Sequence, residues 1–299
     1  MTDYSVRRDW NGKPWVSLDG GPLRFEPGRK TPVNAEAYKR PSSLSNAIEG
    51  DKPALVQWKQ NNVLVGVIRN SSLLARIGAL ISATGNPWYD VEGGGKKEIQ
   101  ELIKRAELEA GSDRAADEGS AFHSLAEQVC KGTPPMFIPD HLQPWLDARE
   151  EAMRDWEILD TELFVVQDQI RCAGSLDRVL RNRHTGQVVV GDVKTGNDDP
   201  KYPMKVAVQV GVYANSLRYD QKTGERSPIH PDLDPTEGIL IHAPVKTGVT
   251  PKVTLYTIPL VQGWEAAKLA DQALKAKKWF KDNQLEEVQQ WTPPQLTLI

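Results

Sequence analysis

The stretch from Ile170 to Thr195, IRCAGSLDRVLRNRHTGQVVVGDVKT, decides the fold. Val179 and Leu180 close one apolar run, and a run of three valines opens the next at Val188. Between them the sequence RHTG has the composition of a turn, because its glycine can adopt a positive φ angle. The pattern predicts two adjacent antiparallel strands joined by a tight turn.

The register of this hairpin follows from the position of the turn. With His184 and Thr185 as the two loop residues, Asp177 lies opposite Asp192 across the ladder. Cross-strand neighbours have Cβ atoms roughly 5 Å apart. Lys194 follows Asp192 by two residues, so both side chains point to the same face of the sheet. The hairpin therefore predicts two carboxylates and one ammonium group on a single patch.

Two like charges that face each other destabilise a sheet unless another group neutralises them. A divalent cation such as Mg²⁺ or Mn²⁺ would do so, because these ions prefer carboxylate oxygens. The alternative is a register shifted by one residue, which would leave solvated charges on an exposed face. The hairpin sequence alone does not distinguish these two arrangements.

Composition and charge limit the classes of protein to which the chain can belong. Its 299 residues are enough for one large domain or two small ones. A formal net charge of −3 excludes a uniformly basic nucleic-acid binder. Any DNA contact would need a local basic patch, such as the arginines beside the hairpin, which are Arg171, Arg178, Arg181 and Arg183.

Cysteine content and hydropathy give further expectations. The two cysteines, Cys130 and Cys172, are too few for a four-cysteine zinc or iron–sulfur site. The first residues lack the apolar core of a signal peptide. No run approaches the ~20 apolar residues that a membrane span needs. We expect a soluble, cytoplasmic protein without a membrane partner.

Apolar periodicity predicts the remaining elements. The amino-terminal part reads as mostly helical, and its last two helices are predicted over 96–110 and 114–130. Further helices are predicted over 142–159, 204–218 and 264–283, and further strands over 161–166, 239–243 and 253–258. The order after the helical part is β-β-β-α-β-β-α. The fold class is therefore α/β, with a mixed central sheet flanked by helices.

Two helices carry polar side chains at a spacing of four residues. His123 and Glu127 share one face of the helix over 114–130, and Gln209 and Tyr213 share one face of the helix over 204–218. Taken alone, both pairs are compatible with ordinary amphipathic helices and a structural histidine.

The motifs G-S-L-D-R, G-D-V-K-T-G and Q-V-G-V-Y together resemble the PD-(D/E)XK nuclease superfamily, and within it the RecB-like branch. That branch has a helical histidine, a G-x-x-D strand, a D-x-K strand followed by Thr-Gly, and a Q-x-x-x-Y helix. Here these motifs run from Glu118 to His123, Gly174 to Asp177, Asp192 to Gly196, and Gln209 to Tyr213. The R-P-S-S-L and L-V-Q-W segments near the amino terminus are similar to phage-encoded RecB-like exonucleases related to CRISPR-associated ones.

The resemblance implies a restriction-endonuclease-like core over residues 111–285. A mostly helical amino-terminal region would precede it over 1–110, and a tail would follow over 286–299. The sequence departs from the family in two places. Asp192 stands where many relatives have glutamate, and two cysteines stand where many CRISPR-associated relatives hold an iron–sulfur cluster on four, so we expect no cluster.

The resemblance also assigns roles to the site residues. Mg²⁺ or Mn²⁺ would be held by Asp177, Asp192, the Val193 carbonyl and His123. Lys194 would orient or deprotonate the attacking water, or stabilise the transition state, while Gln209 and Tyr213 would position the DNA backbone or the water.

Glu127 and Glu162 are weaker candidates. Glu127 would support the site from a distance and Glu162 would be a third carboxylate. The alternative for both is a solvated surface charge.

The activity implied is that of a metal-dependent DNA exonuclease acting in phage DNA recombination, repair or processing, in the cytoplasm of the host cell. Its substrate would be single-stranded DNA or a duplex with an end, and a recombination or annealing protein is a candidate partner. A structure-specific endonuclease on the same core, or a catalytically inactive DNA-binding or scaffold protein, are the alternatives. The sequence does not indicate an oligomeric state.

Overall fold

The structure is a computed structural model, and it describes residues 6–48, 53–89, 95–133, 135–196, 203–246, 248–283 and 285. The predicted tail over 286–299 lies outside the described residues, as do the predicted loop residues Gly93 and Gly94 and most of the loop after Lys194.

The described chain contains the following elements in order. The helices are α1 (Pro41–Ser45), α2 (Pro53–Arg69), α3 (Ser71–Thr84), α4 (Gly95–Glu109), α5 (Arg114–Cys130), α6 (Gln143–Met153), α7 (Met204–Ala214) and α8 (Leu260–Asp282). The strands are β1 (Trp15–Ser17), β2 (Ala35–Ala37), β3 (Trp156–Gln167), β4 (Cys172–Asn182), β5 (Val188–Lys194), β6 (Leu217–Tyr219), β7 (Arg226–Ser227), β8 (Leu233–His242) and β9 (Thr254–Pro259).

The central sheet has seven strands in the order β7-β6-β3-β4-β5-β8-β9. Strands β5 and β8 pair in parallel, and the other neighbours pair antiparallel. This mixed sheet with helices on both faces confirms the predicted fold class and is consistent with a restriction-endonuclease-like core.

The hairpin register is confirmed, although the turn is longer than predicted. Arg178 pairs with Gly191 and Arg181 with Val188, as the predicted register requires. The Asn182 amide donates to the Gln187 carbonyl, so the loop spans the four residues 183–186 instead of two. The predicted two-residue loop and the observed four-residue loop have the same midpoint. The predicted pairing of the two strands is therefore correct.

Four of the predicted junctions are wrong, and strand pairing explains three of them. Strand β8 begins at Leu233, before the predicted start at residue 239, because Leu233 pairs with Val188 of β5. Residues 156–159 belong to β3 and not to the preceding helix, because Trp156 and Ile158 pair with Asn182 and Leu180 of β4. Residues 217 and 218 belong to β6, which pairs with β3. Helix α8 begins at Leu260, before the predicted start at residue 264. Long-range pairing overrides the local helical periodicity at the two strand positions that were predicted as helix.

Helices cover both faces of the sheet. Helices α5 and α6 pack on one face through Phe122 and Trp145, against Leu180 and Val189. Helices α7 and α8 pack on the other face, where Val210 and Leu260 contact the cluster that contains Val179 and Val190. Neighbouring residues of β4 and β5 thus point to opposite layers, as the pleat requires. The site described below lies where β3, β4 and β5 meet α5 and α7.

The region before residue 110 is not purely helical, because the antiparallel pair β1–β2 precedes its helices. This pair packs on the central sheet through Val16 and Tyr38. Helices α2, α3 and α4 enclose a small core of their own around Leu73, Leu102 and Ala106. The division of the chain at residue 110 stays a prediction.

The length and hydropathy of the described helices bear on whether any of them could span a membrane. Among them, no single helix is both long and apolar enough to cross a bilayer. Only α2 and α3 taken together reach that length and composition, and they are bent by 107° at their junction.

Candidate active site

Three side chains from different elements converge beside the middle of α5. His123 of α5, Glu162 of β3 and Asp177 of β4 each offer a ligand atom, and these atoms lie within 4.8 Å of one another. His123 Nε2 is 3.7 Å from Asp177 Oδ2 and 3.9 Å from Glu162 Oε1. We call these residues the acidic group. The structure therefore brings together two predicted site residues and one of the two weaker candidates.

Strand pairing places the two carboxylates of the acidic group side by side. The flanking pairs Thr161–Arg178 and Leu163–Leu176 put Glu162 opposite Asp177 across the β3–β4 ladder. Glu162 adopts a φ of 51°, in the left-handed region that a residue with a side chain rarely occupies. Such a conformation costs of order 1–3 kcal/mol and persists only where the surrounding structure enforces it.

Glu162 Oε1 is buried and has no hydrogen-bond partner among the described residues. Its nearest cationic groups are His123 Nε2 and Arg178 Nη1, each at 3.9 Å. Burial raises the pKa of Glu162, the negative charge of Asp177 raises it further, and His123 partly offsets both. A buried carboxylate oxygen without a donor is unfavourable unless a cation approaches it. This is the position where a metal ion fits the residues present.

Asp177 connects the acidic group to β5. Its Oδ2 accepts a hydrogen bond from the Val193 backbone amide at 2.8 Å. Burial would raise the pKa of Asp177, but His123, Lys194 and the Val193 amide together lower it. In return, the neighbouring Asp177 carboxylate raises the pKa of His123, although burial opposes this.

Asp192, Lys194 and Gln209 form a second set beside the acidic group, which we call the lysine group. Asp192 is almost fully buried, and its Oδ2 forms an ion pair of 2.5 Å with Lys194 Nζ. Gln209 Nε2 donates to Asp192 Oδ1 at 3.1 Å. Burial raises the pKa of Asp192 to about 6, with Lys194 acting in the opposite direction. The carboxylates of Asp192 and Asp177 together raise the pKa of Lys194, against the effect of burial.

Tyr213 lies at the edge of the lysine group. Its hydroxyl is 3.5 Å from Gln209 Nε2, which is a weak contact. Burial raises the pKa of Tyr213, and the negative charge of Asp192 adds to this effect. Gly174 of β4 leaves the space for this ring, because a Cβ there would lie 3.3 Å from the Tyr213 hydroxyl. The glycine of the G-x-x-D motif thus has a packing role.

A groove of about 330 Å³ runs along α5 beside the acidic group. It is lined by Ala116, Gly119, Ser120, His123, Ser124, Glu127 and Thr195. A Cβ on Gly119 would lie 2.4 Å from Thr195 Oγ1, so this glycine allows the end of β5 to approach α5. The sequence motifs marked Gly119 and Thr195, but sequence reasoning gave neither a structural role.

Glu127 contacts the groove and not the acidic group itself. It forms an ion pair with Lys131 one helical turn away. Its negative charge also contributes to the raised pKa of Glu162. The Val193 carbonyl, predicted as a metal ligand, stays a prediction, because the described contacts of Val193 at this site involve its amide.

One residue of the predicted basic patch is misplaced. Arg178 is fully buried, and its Nη1 donates to the Asp177 carbonyl at 2.6 Å. The prediction that it belongs to an exposed patch was wrong, because β4 is a central strand covered on both faces. Arg171, in contrast, is exposed.

The two cysteines are free thiols and lie in different environments. Cys172 is buried in the apolar cluster between α1, α7 and α8. Cys130 accepts a hydrogen bond from Arg149 Nη2 at 2.8 Å. The expectation that the chain carries no iron–sulfur cluster stays a prediction.

The acidic group offers one imidazole nitrogen and two carboxylate oxygens, a donor set that could hold a divalent metal ion. The lysine group adds a buried ammonium next to it. Comparison with known families agrees with this chemistry, because the sequence model of the PD-(D/E)XK nuclease superfamily matches residues 137–293. The matched segment contains Glu162, Asp177 and the lysine group but begins after His123. A search of curated proteins finds no significant match.

Proposed function

The chain belongs to the PD-(D/E)XK nuclease superfamily, and from this premise we propose that it is a divalent-metal-dependent exonuclease that hydrolyses phosphodiester bonds of DNA. The membership implies a nuclease with a nucleic-acid substrate. The preference for DNA, the exonuclease mode and a role in phage recombination or repair are our inferences from the RecB-like motifs.

The observation that carries the proposal is the unpartnered Oε1 of Glu162 within the acidic group. His123, Glu162 and Asp177 are the residues that would hold the metal ion, with Asp192 and the Val193 carbonyl as further predicted ligands. A bound Mg²⁺ or Mn²⁺ ion would make water more acidic and stabilise negative charge on the phosphate.

Lys194 is proposed to act as a cation. Its raised pKa keeps the ammonium protonated at neutral pH, so it would orient the water or stabilise the charged transition state and would not accept a proton. One Asp192 oxygen holds Lys194 in place, and the other accepts a hydrogen bond from Gln209. In this arrangement Gln209 and Tyr213 are positioning residues.

The groove along α5 is the proposed path of the scissile strand. It opens directly beside His123, and its Ser120 and Ser124 hydroxyls are suitable donors for phosphate oxygens. A recombination or annealing protein remains the proposed partner.

The test is digestion of end-labelled single-stranded and duplex DNA with Mg²⁺, Mn²⁺ or EDTA. We expect cleavage of linear substrates with either metal, no cleavage in EDTA, and no cleavage of closed circles. Cleavage of closed circles would instead favour a structure-specific endonuclease. A wild-type protein that is inactive with every metal would favour a DNA-binding or scaffold protein.

The variant Glu162→Gln tests whether this cleavage depends on the acidic group. We expect it to reduce cleavage about 100-fold, since one charged ligand is lost. Glu157→Gln is the matched control, because Glu157 lies on the same strand but pairs with Arg181. Equal activity of the Glu162→Gln variant and the wild type would contradict the proposed role of Glu162.

A further inference from the structure

The last two turns of α8 extend beyond the core. Ala267, Ala270 and Asp271 are buried against the neighbouring elements. Every residue from Lys275 to Asn283, in contrast, is exposed. This segment therefore contributes no buried face to the described core, and its composition is not explained by packing.

The exposed segment combines two aromatic rings with four lysines over residues 275–281, KAKKWFK. Trp279 and Phe280 are 58% and 66% exposed, and their rings meet edge to face with centroids 4.9 Å apart. Large aromatic side chains that stay exposed together are uncommon on a monomer unless they bind something.

Two of the lysines lie one helical turn from the aromatic rings. Lys275 precedes Trp279 by four residues and Lys277 precedes Phe280 by three, so each ring has an ammonium group one turn away. Lys275 also pairs with Asp271. Within the described part of the chain, no carboxylate forms an ion pair with Lys277, Lys278 or Lys281. The segment is thus locally basic on a chain whose net charge is −3.

We propose that residues 275–281 form a binding surface for single-stranded nucleic acid, which we call the α8 surface. Aromatic rings stack on unpaired bases without regard to sequence, and lysines neutralise the phosphates between them. A membrane surface would favour an apolar face separated from a basic one. Here the aromatic face is only two rings wide, with Lys275 and Lys277 flanking it and Lys278 and Lys281 behind it, and so it is too small for the extended apolar face of a membrane-surface helix. The inference rests on the proposed nuclease function and adds a site that holds the substrate strand away from the cleaved bond.

The test is the affinity of the full chain for a fluorescein-labelled oligo(dT), measured by fluorescence anisotropy in EDTA so that cleavage cannot interfere. We expect Trp279→Ala/Phe280→Ala to weaken binding at least about tenfold, since stacking of each base contributes ~1–3 kcal/mol. We expect Lys277→Gln/Lys278→Gln/Lys281→Gln to reduce the slope of log K against log salt by about 2, the value for three phosphate contacts on a single strand.

Matched controls come from exposed residues in the amino-terminal region. Trp10→Ala removes an aromatic side chain that is 92% exposed, and Lys30→Gln removes an exposed lysine. Both should bind oligo(dT) as the wild type does, and all variants should keep the wild-type melting temperature. Unchanged affinity in both α8 variants would overturn the proposal.

Two other outcomes would assign the α8 surface to a different partner and so also overturn it. One is that the α8 variants lose binding to phosphatidylserine vesicles but bind oligo(dT) as the wild type does. The other is a dimeric wild type that the aromatic variant converts to a monomer, again with oligo(dT) binding intact. The nuclease proposal is tested separately, because it fails only if the wild type cleaves nothing with any metal.

Discussion

The acidic group and the lysine group lie side by side but satisfy their buried polar atoms differently. Asp192 Oδ1 accepts a hydrogen bond from Gln209, and Oδ2, although it lacks a partner with hydrogen-bond geometry, forms a close ion pair with Lys194. Glu162 Oε1 has no hydrogen-bond partner within the described residues, and its nearest cationic groups are 3.9 Å away. The lysine group therefore balances its buried carboxylate without a ligand, whereas the acidic group does not.

This difference separates residues that stabilise the fold from residues that stabilise a bound ion. Breaking a complete buried ion pair should destabilise the protein in the absence of metal. Neutralising a carboxylate of the incomplete group should instead relieve repulsion without metal and remove the stabilisation that metal provides. Activity, stability in EDTA and stability with Mg²⁺ can therefore be measured to test the comparison.

The largest effect is expected at Asp177, the residue that interacts with both groups. Asp177→Asn should reduce the cleavage rate by roughly 10³-fold, because charge stabilisation of several kcal/mol is lost from the reacting centre. Cleavage rates of labelled linear DNA with excess Mg²⁺ give the measurement. Asp155→Asn is the control, since Asp155 pairs with His184 near the hairpin turn. A variant at Asp177 that cleaves as fast as the wild type would remove the acidic group from the mechanism.

A smaller effect is expected on breaking the lysine group. Lys194→Met should lower the free energy of unfolding in EDTA at pH 8 by roughly 3 kcal/mol, because Asp192 becomes a buried charge without its cation. Urea unfolding measures this loss. The double variant Asp192→Asn/Lys194→Met should recover part of it, since no charge is then buried. If Lys194→Met is as stable as the wild type, the lysine group is not the self-contained unit described above.

Sequence reasoning predicted the lysine group better than the acidic group. The positions of Asp192 and Lys194 follow from the hairpin, whose register is determined by apolar residues with a clear alternation. Glu162 was rated only a weaker candidate, because its position depends on the pairing of β3 with β4 and on a left-handed backbone conformation. Neither feature has a signal in the local sequence.

The same distinction applies to the fold. Helix α5 is confirmed over the predicted range of Arg114–Cys130, because its apolar stripe is continuous. The short strands β6 and β7 were not predicted, since runs of three and two residues are too short to show an alternating pattern. They form only because β3 offers an edge with which β6 can pair.

The third prediction tests the incomplete group by stability alone. Glu162→Gln should raise the melting temperature in EDTA by roughly 2–4 °C, the shift that corresponds to about 1 kcal/mol in a domain of this size. The reason is that a carboxylate opposite Asp177, one of whose oxygens is buried without a hydrogen bond, becomes neutral. Excess Mg²⁺ should raise the melting temperature of the wild type but not of this variant. A variant destabilised in EDTA would mean that Glu162 has a structural partner, and Glu157→Gln controls for the loss of a strand carboxylate.

The smallest effect is the pH dependence of stability in EDTA. The pKa of His123 is raised by the neighbouring Asp177 carboxylate, so its contribution to stability is present below its unfolded pKa of about 6.5. This contribution is lost as pH rises through the higher folded pKa. Burial raises the pKa of Glu162 and that of Asp192, the latter to about 6, and their contributions have the same sign.

The melting temperature in EDTA should therefore fall between pH 5.5 and pH 8, by roughly 2–4 °C for each kcal/mol lost. His123→Asn should flatten this profile near neutral pH, because the imidazole whose pKa is raised on folding no longer titrates. Differential scanning fluorimetry at matched ionic strength measures both curves. Mg²⁺ should stabilise the wild type more at pH 8 than at pH 5.5, since protons and the ion compete for the same donors. A stability that rises with pH in EDTA over this range would contradict the raised pKa values of His123, Glu162 and Asp192.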